Sequence, residues 1–379
     1  MSMSHRIYLD YNASTPLDPQ VKQAMISASE QFGNPSSIHQ EGRRARALVD
    51  QARSNVARLL QCDQRRIVFT SGGTESNNLA IIGTARANRT KGNHLVTCSI
   101  EHSSVLNAFH QLEREGFEVI CVPPTPEGLI DPENVRAALR KDTVLVSIMM
   151  ANNEIGTIQP VAELAAITHE NGSLFHTDAI QALGKIPVHA DSLQADLISL
   201  SAHKIYGPKG AGALFCSDSA ELEPLQRGGT HEQGLRAGTE NVSAIHGFGC
   251  AAEILVREGL PELISLRNKI EAGLSREPVR ILCQNAPRLP NTVNFYFPQW
   301  TGESLVMAMD LEGFAVSNGS ACASGIIEPS HVIRALGYND EVARSVVRVS
   351  LGKYTQAAEI DSFLEFVHRL AQRVGRTMS

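Results

Sequence analysis

Lys204, in SAHKIYGPKG, ends an apolar run, a setting that suits an amine doing covalent chemistry. An ammonium at the end of a buried strand is costly, which favours a depressed pKa and a nucleophilic nitrogen. Asp178 closes a second apolar run, SLFHTDA, and Gln181 follows three residues on. The stretch SGGTES has two glycines, Gly73 among them, that let the backbone approach a ligand closely, and Thr74 is able to cap or bind at a helix start. That is the composition of a phosphate cradle. A phosphate cradle, a Schiff-base lysine and a carboxylate for a pyridinium nitrogen are together what pyridoxal 5′-phosphate requires. The carboxylate keeps the ring nitrogen protonated, because a nearby anion favours the charged form. A thiol, Cys322, stands apart in SNGSACASGIIEP with almost nothing to pack against. Each residue alone has a plainer reading: a surface lysine, an N-cap loop, a polar strand end, a cysteine without a role.

The elements that must position these groups follow from hydrophobic patterning. RIVFT (66–70), HLVTCSI (94–100), TVLVSIMMA (143–151), SLFHTDA (173–179), DLISLSA (196–202) and GALFC (212–216) read as buried strands. Helical patterns lie between several of them, such as 74–88 and 161–172, the latter ending at Gly172 as a C′ glycine. Alternation of this kind predicts an α/β fold with a mainly parallel sheet. Parallel strands bring their carboxyl ends to one edge, where open α/β folds bind ligands. Five strands end in functional groups: Ser71 to Glu75, Glu101 with His102, Asn152 with Asn153, Asp178, and Ser201 with His203 and Lys204. From about residue 250 the texture changes. One long helical pattern over 250–277 leads into RILCQ, PNTVNFYF and FAVSNGS, then a helix near the C-terminus, which predicts a smaller α+β domain.

A chain of 379 residues, 42% of them hydrophobic, suits two well-cored domains. A net charge of −6 and an aromatic content of 5% leave no stacking surface for nucleic acid, and none is expected to bind. The basic cluster EGRRARALVDQAR alternates with Ala, Leu and Val at helical spacing, the pattern of a solvated helix face; a polyanion-binding surface is the alternative. Seven cysteines, an odd number without a CxxC pair, support neither a disulfide framework nor a zinc ribbon, and no metal site is expected. Cys98, Cys121, Cys216 and Cys283 sit in apolar strand-like runs and Cys250 in a helical one, so core packing is expected for each; Cys62 near a helix end is the one expected to be exposed. With no apolar signal core and no long apolar window, the chain reads as soluble, reduced and cytoplasmic.

YLDYNASTP, FGNPSSIH, FTSGGTESNN, MMANNEIGTIQP, HTDAIQALGK, SAHKIYGPKG, RAGTEN and SNGSACASG, in that order from residue 8 onward, resemble the group I (NifS/IscS-like) cysteine desulfurases of the class V aminotransferase fold. The resemblance implies a fold type I, aspartate aminotransferase-like α/β architecture. It divides the chain into a large cofactor-binding domain, 15–255, and a small domain, 1–14 with 256–379, carrying a mobile cysteine loop at about 317–330. It also implies that Lys204 carries pyridoxal 5′-phosphate and that Asp178 pairs with its ring nitrogen. His102 would stack on the ring and assist proton transfer, with Gln181 on the ring oxygen and Asn153 near ring and substrate. Gly73, Thr74, Ser201 and His203 would bind the phosphate. Thr239 would reach the phosphate of a neighbouring subunit, which implies a homodimer. Arg348 would hold the carboxylate of L-cysteine through a bidentate pair, a geometry suited to guanidinium.

By the same resemblance, sulfur passes from L-cysteine to Cys322 as a persulfide, L-alanine leaves, and a sulfur-acceptor protein receives the sulfur. Iron–sulfur cluster assembly, tRNA or cofactor thiolation and DNA phosphorothioation are all open destinations. Two rivals stand beside this reading: a selenocysteine lyase or another class V enzyme, in which Cys322 is dispensable, and a partner-dependent sulfur-relay or scaffold protein. The chain departs from the family pattern at Thr230, His231 and Gln233, in the expected dimer-spanning loop. It also ends in HRLAQRVGRTMS, where IscS-type members are expected to carry a longer scaffold-docking tail.

Overall fold

The structure, a computed structural model, describes residues 6–298, 300–318 and 328–377. Its strands in chain order are β1 (Ile7–Tyr8), β2 (Ile67–Thr70), β3 (His94–Cys98), β4 (Glu118–Val122), β5 (Thr143–Ser147) and β6 (Leu174–Asp178), then β7 (Leu197–Ser201), β8 (Gly212–Cys216), β9 (Arg280–Ile281), β10 (Thr292–Tyr296), β11 (Phe314–Ala315) and β12 (Val346–Ser350). Seven of them form one sheet in the order β2-β8-β7-β6-β5-β3-β4. Pairing is parallel from β4 through β7, and only β8 runs against its neighbours β7 and β2. Apolar clusters cover both faces of this sheet, so its central strands are buried almost throughout.

Helices on those faces show why the sequence folds as it does. In the helix Gln40–Leu60, buried Ala45, Val49, Ala52, Val56 and Leu60 recur three or four apart and form one apolar stripe. His39 caps its start, its ring Nδ1 accepting from the Gly42 N–H at 3.2 Å. The basic face is solvated as expected, except that Arg53 is buried against Glu232 in a two-point pair at 2.6 and 2.7 Å. The helical run after β2 covers 73–87 and contains a π turn at Leu79–Gly83. The helix Val161–Glu170 closes on Gly172 at φ +79°, the left-handed position glycine favours.

Two expectations are corrected. The pattern over 250–277 is two helices, Val242–Glu258 and Ile264–Leu274, because Gly259 takes φ +77° and Pro261 follows it. Cys121 is exposed rather than core-packed, because β4 is the edge of the sheet. Cys98, Cys216 and Cys283 are buried, whereas Cys62 and Cys250 are half-buried.

A second apolar cluster gathers Ile7 and Leu9 with residues from Leu263 to Ala371. It surrounds the small sheet β12-β10-β9 and includes Phe295, Phe314, Phe363 and Phe366, the Phe314 ring lying 5.7 Å from Phe363 and 5.6 Å from Phe366. Burying each such ring stabilises the fold by roughly 2–3 kcal/mol. Here the strands alternate. Val293 and Phe295 of β10, like Val347 and Val349 of β12, enter this cluster. Thr292, Asn294, Arg348 and Ser350 therefore point the other way, toward the carboxyl edge of the large sheet.

Candidate active site

The carboxyl ends of β2, β3, β5, β6 and β7 meet on one edge, as the strand directions require. β7 ends in a tight turn, with Ile205 and Gly207 N–H groups donating to the Ala202 carbonyl at 3.0 Å. A Cβ on Gly207 would sit 2.8 Å from that carbonyl oxygen, so the approach requires glycine. Lys204 leaves this turn, and its Nζ donates to the main-chain carbonyls of Asn12 and Ala13, the latter at 2.9 Å. Burial lowers its pKa to about 8; the Arg348 cation pushes the same way, and the Asp178 and Asp10 carboxylates oppose them.

Asp178 ends β6 beside β7, buried, with each carboxylate oxygen engaged: Oδ1 by the Ile180 N–H at 2.9 Å, Oδ2 by Asn77 Nδ2 at 2.7 Å. Asn77 also donates to Ser104 Oγ at 2.9 Å, and Ser104 Oγ lies 2.8 Å from His102 Nδ1. Because the hydroxyl oxygen accepts from Asn77, its hydrogen is left for His102. The Ser104 N–H also points at Nδ1, at 3.1 Å. This network assigns Nδ1 as acceptor, so a neutral His102 carries its proton on Nε2. Desolvation pushes the His102 pKa down and Lys204 adds to that, against the pull of Asp178.

Phosphate-type chemistry has a fitting cradle in the turn after β2. No side chain caps the start of the helical run at Gly72, and Thr74 is exposed there. Gly73 passes so close to the turn after β6 that a Cβ would lie 2.1 Å from Ile180 Cδ1, with Ser201 Cβ at 3.6 Å. His203 Nδ1 is 3.3 Å from Ser14 Oγ, and burial together with Lys204 lowers its pKa to about 4. A depressed-pKa amine, a fixed buried carboxylate and an uncapped helix start against a glycine backbone form a donor set that fits pyridoxal 5′-phosphate.

Arg348 arrives from the alternating face of β12. It is buried, donating to the Asn153 carbonyl at 3.0 Å and to Asp10 Oδ1 at 2.7 Å, while its Nε is buried without a partner. Asn153 thereby joins the site through its main chain. Gln181 is buried and donates from Nε2 to the Asn12 carbonyl at 2.8 Å. Thr239 lies apart from this group, exposed, lining a cavity of about 150 Å³ with Thr70, Ser71 and Arg236. Cys322 lies outside the described residues. The chain on either side of them is held to the site: Ser317 pairs with Arg348 in a β-bridge, Ser330 Oγ donates to Glu154 Oε2 at 2.6 Å, and His331 Nε2 meets the Glu101 carbonyl at 2.9 Å.

Sequence reasoning missed Asn12, Asp10, Asn77 and Lys185. Asn12 is buried and fully engaged: Nδ2 donates to the Asn153 carbonyl and Thr292 Oγ1, Oδ1 accepts from Lys185 and Asn291, and its N–H donates to Ser350 Oγ. A lone asparagine after YLDY carries no spacing signal; only its place in a quoted motif marked it. Glu101, seen only as a strand end, is wholly buried, accepting from the Met149 N–H at 2.5 Å and the Cys98 thiol at 3.2 Å. Burial and the nearby Asp178 raise its pKa to about 8. Among the described residues no cluster of three or more His, Cys, Asp or Glu could hold a metal ion, and no helix is long and apolar enough to cross a membrane.

Comparison with known proteins gives this geometry a family. The model of the class-V aminotransferase family matches residues 7–363. The cysteine desulfurase IscS of Dictyoglomus turgidum is 46% identical over 383 aligned residues, covering 100% of this chain and 97% of the relative. Among solved structures, a NifS-like protein superposes with a TM-score of 0.90 at 36% identity, covering 96% of this chain and 99% of its own. SspA in complex with cysteine superposes with a TM-score of 0.82 at 37% identity, covering 92% and 99%. A chain matched along nearly its whole length, with a lysine, a carboxylate and an arginine converging at one sheet edge, belongs to the cysteine desulfurases of the class-V aminotransferase family.

Proposed function

We propose that this chain releases L-alanine from L-cysteine and carries the sulfur as a persulfide on Cys322, with pyridoxal 5′-phosphate as its cofactor. The observation that carries the reading is Lys204: a half-buried amine with its pKa lowered to about 8, between the charges of Asp178 and Arg348. When bound, the cofactor supplies an electron sink for the substrate α-carbon. Asp178 would be the anion for its ring nitrogen and Gln181 the partner of its ring oxygen, and Gly73, Thr74, Ser201 and His203 would hold its phosphate. Thr239 would do so for a neighbouring subunit.

Arg348 holds the substrate carboxylate, with Asn153 beside it. Lys204, about half neutral at pH 8, takes the α-proton. His102, protonated on Nε2, would lie against the ring and relay protons. The Cys322 thiolate attacks the substrate sulfur: an S–S bond forms, the C–S bond breaks, and its electron pair stays with the carbon fragment, which is protonated and leaves as L-alanine. The persulfide sulfur then passes to an acceptor protein.

Two units, 15–255 and 1–14 with 256–379, form the working division of the chain, supported by the cluster that joins Ile7 and Leu9 to the C-terminal helices. The protein works as a cytoplasmic homodimer; Phe32 and Ile38, 87% and 91% exposed, support a surface that a second copy covers. The test compares alanine release from L-cysteine by wild type and Cys322→Ser. Wild type is expected to turn over while Cys322→Ser keeps the cofactor absorption and gives no catalytic alanine. Equal release by both would favour the lyase reading, and release by neither the relay reading.

A further inference from the structure

A second lysine lies beneath Lys204, and the reaction makes no direct use of it. Lys185 is 7% exposed, at the end of the turn that carries Asp178 and Gln181. Its Nζ donates to two acceptors, Gln181 Oε1 at 2.5 Å and Asn12 Oδ1 at 3.0 Å. The charges that reach it are those of Lys204 and Arg348, both cations, and with its burial they drive its pKa well below that of an ordinary lysine. The amine is the donor in both bonds, so each partner presents an oxygen to it.

The direction of these bonds has a consequence. An amide side chain can present either its oxygen or its nitrogen, and its partners decide which. With Oε1 of Gln181 engaged by Lys185, the NH2 end turns to the Asn12 carbonyl, the acceptor that Lys204 also uses. One N–H is committed there and the second is left for an oxygen acceptor on the cofactor ring. We propose that Lys185 is a positioning residue, one that fixes Gln181 as a donor toward the cofactor. The inference rests on the cofactor reading above.

The test uses purified full-length protein in cofactor-free and cofactor-loaded forms. Lys185→Met removes both donors at similar length. It is expected to weaken pyridoxal 5′-phosphate binding about tenfold, roughly one or two hydrogen bonds, and to shift the absorption maximum of the bound cofactor. In the cofactor-free protein the Gln181 side-chain amide should exchange with solvent at least about tenfold faster than in wild type. Gln181→Glu, which replaces the NH2 end with an acceptor facing the Asn12 carbonyl, should reproduce the spectral shift. Lys185→Met should add nothing in a Gln181→Ala background, because one residue acts through the other. Additive losses, or an unchanged spectrum and exchange rate in Lys185→Met, would overturn the proposal. Wild-type protein that binds no cofactor would instead sink the functional reading.

Discussion

β6 and β7 of the large sheet and β10 and β12 of the small one bring chemistry to the same place by different geometries. The large-sheet strands are covered on both faces, so their functional groups sit at the carboxyl ends, at Asp178 and at Ser201 to Lys204. The small-sheet strands have one face in the aromatic cluster and one toward the site, so function falls on every second residue: Thr292 and Asn294, Arg348 and Ser350. Even the interior polar group of β6 obeys the first rule. His176 is wholly buried, bridging Ser147 Oγ at 2.7 Å and Ser199 Oγ at 2.9 Å, and burial lowers its pKa to about 3. It ties three strands together without reaching the site. An end can be rebuilt by changing a loop; an alternating face shares its strand with the core behind it.

The largest effect is expected at a strand end. Lys204→Ala should abolish the cofactor's absorption band and cut alanine release at least about 10⁴-fold, with the melting temperature nearly kept. An unchanged spectrum would remove Lys204 from its role. Next comes the alternating face. Arg348→Lys loses the planar two-point grip and should raise KM for L-cysteine about a hundredfold, leaving cofactor absorption in place. Its neighbour Val347→Ala should do the reverse, costing about 1–3 kcal/mol of stability with KM unchanged. If Val347→Ala moved KM as far as Arg348→Lys, the two faces of β12 would not be independent.

The smallest effect is a pH slope. Glu101 has its folded pKa raised from 4.5 to about 8. The native state then binds more protons than the unfolded chain in that window, so stability is present below pH 4.5 and lost as pH rises toward 8. The loss is on the order of a few kcal/mol. Lys204, with its pKa lowered to about 8, has the opposite sign, adding stability from pH 8 upward to its ordinary range. Glu101→Gln should therefore flatten the urea midpoint between pH 5 and 8 and leave the rise above pH 8. A wild-type slope in the variant would place the titration elsewhere.

The same contrast explains what the sequence made legible. Apolar runs ending in Ser, His, Asp or Lys are conspicuous, and the parallel order of β3, β5, β6 and β7 turns five such endings into one site. VRVS reads as an ordinary half-exposed strand, because periodicity does not say whether the polar face meets water or an active site. Arg348 was found by resemblance alone. Asn77 and Lys185 lie within the motifs but carry no signal there, since an amide or amine that only orients another group has no spacing of its own. The break at Gly259 and Pro261 was overlooked because apolar residues continue on both sides of it. Thr230, His231 and Gln233 border a cavity of about 970 Å³ where Glu240 is buried without hydrogen bonds, its oxygens 3.7 Å from Arg46 and 3.9 Å from His231. Nothing in their spacing announced that.

Asn12 has a consequence in time as well as space. It is synthesised 338 positions before Ser350 and 279 before Asn291, both of which it must bond to be satisfied. The seven strands of the large sheet have all emerged by Cys216, so that body can condense while Asn12 still lacks its C-terminal partners. Closure of so long a loop is slow relative to local pairing. A nascent chain therefore holds its large sheet well before it holds a competent site, and Asn12 is the clasp that fastens last.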